Sequence, residues 1–586
     1  MKITEALRIL QSANAPSAPA STFFLACGFT PLHLATLLGA HLQGQLPDRR
    51  IQVQTGLYGD LPGNLGLIAK GDHEGAAVVF EWGDFDQRLG LRDLGGWQPA
   101  ELPDVIATSA FRVEHFLETL ERVSARLPIA ACLPTLPVPP AAYTPGWMQS
   151  DLSAELRRLM ANFGAKLSRL ARVRVVDPQR TEALSPLATR LDVKSYLTTG
   201  FPYRVAHASV LADLLVRLLK PPAAKKGVIT DLDNTLWLGI LGEDGLDGVS
   251  WDLDHKSHMH GLYQQLLRSL AGAGVLIAAA SRADQSTVEA GLQSADLLLP
   301  KDCLFPVEAN WEPKSYSVGR ILRTWGVGAE SVVFVDDSPT ELAEVQAAYP
   351  EIECLNFPTG DENGIYALLE KLRDLCGKPL LSEEDRLRLA TVRTAATLAE
   401  PLAHTGERQE AFLAQADQEL SVVSLGTVAD PRALELVNKT NQFNLNGRRY
   451  TEGQWLAFLA REDARAFLVS YRDKYGSLGK ISVLAGRLAG ATLHVDTWVL
   501  SCRAFSRRIE YAVLDHLFDV LDLDAMVFDY QPTPKNHLVR DFLAAFVSDE
   551  PDAASRIPRS VFTEKRPRLF FRSPALEPQW TVSKAN

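Results

Sequence analysis

Short apolar runs bounded by glycine, proline and polar residues alternate with longer stretches whose apolar positions recur every three or four residues. That is the pattern of an α/β protein. STFFLACGF (21–29) reads as a strand and PLHLATLLGAHLQ (31–43) as the helix after it. IQVQTGLY (51–58) and AAVVFEWGDF (76–85) read as further strands, followed by a helix over 111–127 and a strand at IAACLPTL (129–136). The proline-rich stretch from Pro134 to Gly146 predicts a loop, and PPAAKK (221–226) a boundary. A second segment carries strand-like runs at GVITDL (227–232), VLIAAAS (275–281) and SVVFVDD (331–337), with helical stretches between, which predicts a doubly wound parallel sheet. A third carries ELSVVSLG (419–426), RAFLVSYRD (465–473), KISVLAGRL (480–488) and ATLHVDTWVL (491–500). A helix over 506–520 and a last strand, AMVFDYQPT (525–533), follow them. The expected organisation is an α/β domain over 1–222, a second over 223–378, a helical linker over 379–418 rich in Glu, Arg, Ala and Leu, and an α+β domain over 419–586.

Composition adds exclusions. A chain of 586 residues is too long for one core. Its net charge of -11, with no long basic run, argues against a nucleic-acid partner. The most apolar stretch, 23–42, is broken by Gly28, Thr30, Pro31 and Gly39, so no membrane span is expected, and the N-terminus lacks the pattern of a signal peptide. The six cysteines are scattered without metal-site spacing, which reads as reduced thiols in a cytoplasmic protein.

The strongest chemical signal is Asp231-Leu232-Asp233-Asn234-Thr235, directly after the apolar run GVIT. Ligands of open α/β sheets bind at the carboxyl ends of strands. Two carboxylates two residues apart there can divide the work, one attacking phosphorus and the other handling the proton of the leaving group and of water. Their charge beside a phosphate calls for a cation, and Mg2+ suits oxygen ligands of this kind. Ser281 ends the second strand and could bond phosphoryl oxygens, Lys314 in NWEPKS could neutralise developing charge, and Asp336 and Asp337 end a third strand and could complete a metal site.

This constellation resembles the haloacid dehalogenase (HAD) phosphatase superfamily over about 225–377. The resemblance implies Asp231 as nucleophile, Asp233 as acid/base, and Thr235, Ser281 and Lys314 as substrate contacts. It also implies Mg2+ held by Asp231, Asp336 and the backbone carbonyl of Asp233, with Asp337 beside them. The flap LWLGILGEDGLDGVSWD (236–252) is too short for a domain-sized cap, so an open site is expected.

VNKTNQFNLNGRRY (437–450), DKYGSLGKISVL (473–484), WVLSCRAFSRRIE (498–510) and QPTPKN (531–536), with the HAD set before them, resemble FkbH-like proteins. That resemblance implies a HAD phosphatase fused to a GNAT-like acyltransferase. The implied activity removes phosphate from 1,3-bisphosphoglycerate and loads the glyceryl group onto the phosphopantetheine of an acyl carrier protein, in polyketide extender-unit pathways. Cys502, between a strand end and a helix start and beside Arg503, would carry the acyl group, since both surroundings favour thiolate. Asn441, Asn444, Arg448 and Arg449 could shape a polar pocket or be loop residues capping a helix, and His494 or His537 could act as base. The run Arg503–Arg508 lacks the small residues of a coenzyme A pyrophosphate turn, which favours a carrier-bound arm, with Arg507 and Arg508 facing an acidic carrier. The N-terminal domain resembles SGNH hydrolases, a flavodoxin-like α/β fold. It has Cys27-Gly28 in place of the nucleophile turn and Arg204 where the Asp of an Asp-x-x-His pair would stand, so no catalysis is expected of it.

Overall fold

The structure, a computed structural model, describes the chain except residues 13–17, 93–97, 138–143, 294–296, 380, 383–384, 394–409, 411–412, 427–429, 475, 502–503, 505–506, 535, 548–549 and 573–586. The chain forms two compact units, 1–222 with 450–460, and 223–449 with 461–586.

The first unit holds a parallel sheet of β1 (Ala20–Cys27), β2 (Arg50–Thr55), β3 (Gly75–Val79), β4 (Ile129–Cys132) and β5 (Val173–Val175), in the order β2-β1-β3-β4-β5. Side chains alternate across a strand, so Phe23 and Leu25 enter the core under the helices Leu32–Gln45 and Val205–Leu219. Phe24 and Ala26 enter the core under Leu61–Lys70, Leu102–Ser124 and Asp151–Leu167. Both faces are covered at β1, β3 and β4, which is why these strands show no polar alternation, whereas the edge strand β2 alternates polar and apolar residues. Two elements differ from the sequence pattern. Residues Trp82–Phe85 form a helical turn rather than the end of a strand, because the Asp84 carboxylate accepts the Glu81 N–H at 2.8 Å and closes a capping box. The long helix starts at Leu102 rather than near Phe111, with Pro103 and Asp104 in its first turn, where both are favoured. The helix Glu452–Leu459 belongs to this unit: Glu74 accepts from Thr451 Oγ1 (3.1 Å) and Gln454 Nε2 (3.2 Å), and Arg174 pairs with Glu452 at 3.0 Å.

The second unit contains two sheets. One is parallel, in the order β10-β9-β6-β7-β8, from β6 (Gly227–Thr230), β7 (Leu276–Ser281), β8 (Leu304–Ala309), β9 (Val332–Asp336) and β10 (Glu353–Asn356). A helix over 385–393 packs Leu389 and Val392 against one face of this sheet, so the start of the expected linker is part of its core. The other sheet is mixed, with β11 (Gln418–Ser424), β12 (Ala464–Asp473), β13 (Gly476–Ala489) and β14 (Thr492–Leu500) antiparallel in sequence. β15 (Ala525–Phe528) runs parallel to β14 along Thr492–Val495, β16 (Ser555–Pro558) borders it, and β17 (Phe571–Arg572) pairs with β11. Beyond Val495 the chain itself fills the fork between β14 and the residues after β15. Leu445 N–H donates to Trp498 O (2.9 Å), Leu500 N–H to Phe443 O (3.0 Å), and Gln531 N–H to Leu445 O (3.2 Å). Among the described residues, no helix is long and apolar enough to cross a membrane.

Candidate active site at the carboxyl ends of the second sheet

Three adjacent strands deliver the site. Asp231 follows β6, Asp336 ends β9 and Ser281 ends β7. Asp231 N–H donates to Val335 O at 2.9 Å, extending the ladder one residue past β6 and fixing the Asp231 backbone beside β9. Lys314 opens the helix Lys314–Trp325 after β8, and its side chain is buried among carboxylates. Its Nζ lies 2.7 Å from Asp231 and 2.6 Å from Asp336, and it also pairs with Glu341. Asp336 Oδ1 in turn accepts the Ser338 N–H at 2.9 Å.

Burial sets the electrostatics here. It pushes both Asp231 and Asp336 up from the ordinary carboxylate range, and for Asp336 the charge of Asp231 adds to this, while Lys314 opposes the rise in both. Burial also opposes the ammonium of Lys314, but its three carboxylate partners outweigh that and hold it charged. Asp337, half-buried, is raised chiefly by burial.

One carboxylate oxygen each from Asp231, Asp336 and Asp337 fall within 4.8 Å of one another. Three hard oxygens converging on a point already approached by an ammonium are a donor set that fits Mg2+. The Asp233 carboxylate lies outside that group. Its Oδ1 accepts two hydrogen bonds from the flap, from Trp237 Nε1 (2.9 Å) and Leu241 N–H (3.0 Å), while among the described residues Oδ2 has no partner. The turn between the two aspartates and the flap is closed by Asn234, at φ +53°, whose Oδ1 accepts the Gly239 N–H at 3.1 Å. Thr235 is fully buried, its carbonyl 3.0 Å from His260 Nδ1, and its Oγ1 has no described partner.

Glu341, Trp237 and Arg282 were not singled out by sequence reasoning. Glu341 reaches Lys314 and, at 3.2 Å, Arg282, from the first turn of the helix Pro339–Ala348. An acidic residue in a first turn is common enough that its position alone does not distinguish it.

In the mixed-sheet region, Cys502 and Arg503 lie outside the described residues. Asn441 accepts from Arg449 Nη2 (2.6 Å) and donates to Glu330 (3.3 Å). Asn444 is buried and bonds backbone groups at Thr440, Asn446 and Gly447, so it shapes the loop that fills the strand fork. Arg448 pairs with Asp529 at 2.9 Å. The expected basic face of Arg507 and Arg508 is corrected: Arg507 lies 3.5 Å from Asp473, and Arg508 bonds Arg568 O (2.8 Å) and Glu410 (3.1 Å), so both are drawn into the domain. His494 lies within β14, and His537 begins the helix His537–Ala544. Cys502 being undescribed, neither is assigned to it.

In the first unit, Cys27 is buried with its thiol donating to Phe29 O at 3.2 Å, and burial pushes its pKa far above the usual thiol value. His207 is buried between Thr135 Oγ1 (2.9 Å) and Ser185 Oγ (3.0 Å), and burial, then Arg190, lowers its pKa to about 3. No nucleophile–base pair is formed by these two residues.

No protein-family model matches the chain, and no curated protein matches it. Among solved structures, the N-terminal part of the protein BF1531 from Bacteroides fragilis, containing a phosphatase domain and complexed with Mg, is 18% identical to it. The alignment covers 65% of this chain and 100% of that one with a TM-score of 0.53, so the two share a fold. A protein assigned as a platelet activating factor from Streptococcus pneumonia aligns over 37% of this chain and 90% of its own at 13% identity. Its TM-score of 0.20 is too low to carry an argument.

Proposed function

We propose that the chain is a Mg2+-dependent phosphatase of the HAD type, with Asp231 as nucleophile. The observation that carries this is the Asp231 carboxylate at a strand end, 2.7 Å from the Lys314 ammonium that it shares with Asp336, with Asp337 beside them. The shared fold with a phosphatase-containing, Mg-bound protein supports it. In this mechanism Asp231 attacks phosphorus and the bond to the leaving oxygen breaks. Asp233, through the oxygen not engaged by Trp237 and Leu241, gives that oxygen a proton. Water then attacks the aspartyl-phosphate, Asp233 takes its proton back, and inorganic phosphate leaves. Lys314 and Ser281 hold the phosphoryl oxygens. Asp231, Asp336, Asp337 and the Asp233 carbonyl would hold Mg2+, which supplies positive charge to the phosphoryl group when bound.

The finer reading couples this site to glyceryl transfer from 1,3-bisphosphoglycerate to an acyl carrier protein. A thiolate, from Cys502 or the carrier's phosphopantetheine, attacks the acyl-phosphate carbonyl and the C1 phosphate departs as the thioester forms, while the Asp231 site removes the C3 phosphate as inorganic phosphate, so that a glyceryl group is left on the thiol. Its support is the resemblance of residues 437–536 to FkbH-like proteins and the mixed sheet with β15 parallel to β14, which suits a GNAT-like domain. The SGNH-like assignment of residues 1–222 is part of the same reading, supported by the order of the first sheet. A second reading, a plain phosphomonoesterase, is favoured by the strand fork being filled by Phe443–Leu445, which leaves no open edge there for a pantetheine arm. Intact-protein mass spectrometry separates them. Wild type, Asp231→Asn and Cys502→Ala are incubated with Mg2+, 1,3-bisphosphoglycerate and a phosphopantetheinylated carrier. A glyceryl mass gain on the carrier, lost in both variants, supports coupled transfer. Phosphate release with an unmodified carrier leaves the phosphatase alone. No phosphate release from any phosphoester, with Mg2+ present, overturns both.

A further inference from the structure

The first unit contains a cleft of about 720 Å³ that the chemistry above does not use. It opens at the carboxyl ends of three strands, with Gly28 just past β1, Tyr58 past β2 and Asp84 past β3. In the order β2-β1-β3, the chain leaves β1 for one side and later returns on the other, and at such a switch point loops part and ligands bind.

Two charged side chains in its walls have unused bonding capacity. Asp84 Oδ2 accepts the Glu81 N–H, while Oδ1 has no described partner and lies against Gly28, where an added Cβ would come within 1.7 Å of it. Gly28 is therefore the residue that lets this carboxyl stand at the end of β1. Arg112, half-buried on the helix Leu102–Ser124, influences Asp84 electrostatically but makes no hydrogen bond or ion pair among the described residues. At the rim, Arg92 donates to Tyr58 OH at 2.7 Å, with its guanidinium 5.4 Å from the ring centre. Arg88, by contrast, is engaged by Asp86 and Asp104 at 2.6 and 2.7 Å.

We propose that this cleft binds a small hydroxylated anion, with a ligand hydroxyl on Asp84 and the anionic group on Arg112, assisted by Arg92. An unneutralised guanidinium calls for an anion. A simple anion would meet Asp84 with nothing to offer it, whereas a neighbouring hydroxyl satisfies that oxygen. A cation is opposed by the two arginines. Burial, and then Glu81, push Asp84 up to about 7, so near neutrality it can accept a hydroxyl proton or share its own. The bare backbone of Gly59 and Gly83, where an added Cβ would meet nothing closer than 3.8 Å, lets a compact ligand approach closely. None of this depends on the phosphatase reading.

The test is isothermal titration of the full chain with D-glycerate, with propionate as the anion lacking hydroxyls and glycerol as the polyol lacking charge. D-Glycerate is expected to bind saturably at one site, more tightly than either control. Arg112→Met should weaken it by roughly tenfold to a hundredfold, the loss of a charge-assisted bond, without changing the melting midpoint. Arg112→Lys, which keeps the charge, should bind with intermediate affinity and serves if the methionine variant fails to fold. Absence of saturable D-glycerate binding, equal binding of propionate, or unchanged affinity in the Arg112 variants overturns the proposal.

Discussion

Replacing Lys314 by Met should separate stability, metal affinity and activity in opposite directions. Methionine keeps the length of the stem but removes the ammonium that pairs with Asp231 at 2.7 Å, Asp336 at 2.6 Å and Glu341. Asp231 is 5% exposed and Asp336 0%, so water cannot substitute for the lost partner. Removing one member of a buried ion pair costs about 3–5 kcal/mol, most of it from the charge left behind. For a unit of about 350 residues each kcal/mol moves the melting midpoint by about 1–2 °C, which gives a fall of roughly 3–10 °C in EDTA. Lys314 Nζ and Mg2+ seek the same oxygens, so its removal leaves a more negative and less contested site. The variant should therefore gain more from Mg2+ than wild type does, about 2.7 kcal/mol at a hundredfold excess over Kd. It should also lose phosphatase activity. Differential scanning fluorimetry across a MgCl2 series, with EDTA as the zero point, reads both effects. A midpoint unchanged in EDTA, or a larger Mg2+ shift in wild type than in the variant, would refute the view of Lys314 as a resident cation in the metal site.

Trp237→Phe removes one of the two donors that orient Asp233, and steady-state kinetics with p-nitrophenyl phosphate should show kcat down about tenfold with KM little changed. Glu341→Gln leaves Lys314 with only the two carboxylates that also serve metal and nucleophile, so kcat should again fall about tenfold, with Glu341→Asp intermediate in the same assay. Asp84→Asn bears on stability in the first unit. The folded carboxyl titrates at about 7 rather than 3.8, so between these values the folded chain holds a proton that the unfolded chain has released, and stability falls as pH rises. The amide keeps the acceptor for Glu81 N–H and has no charge to bury. Its advantage in denaturant melts should grow by roughly 2 kcal/mol from pH 5 to pH 8, and an advantage independent of pH would contradict the raised pKa.

The sequence by itself determined where the candidate site of the second unit lies. GVIT, VLIAAAS and SVVFVDD are runs too apolar for anything but strands covered on both faces, and the polar residue ending each lands where a parallel sheet presents its ligands. Asp231, Ser281 and Asp336 were legible for that reason, and Lys314 from its place in NWEPKS between the second and third of these runs, while β8, the strand that precedes it, was not. Other features depend on contacts between residues far apart in the chain, which periodicity does not report. Glu341 became part of the site because its helix turns back over β9 toward Lys314, and the Asp233 carboxylate is oriented by Trp237 and Leu241, which donate to it from the flap. AAVVFEWGDF looked like one strand until the Asp84 carboxylate captured the Glu81 N–H, a local bond that outweighs the apolar pattern. Asn444 looked like a pocket or loop residue, and Arg507 and Arg508 like a basic face for an acidic carrier. Tertiary structure put the first into a strand fork and the second into ion pairs and a backbone bond, because unpaired backbone groups and buried charges take whatever partner the fold brings near.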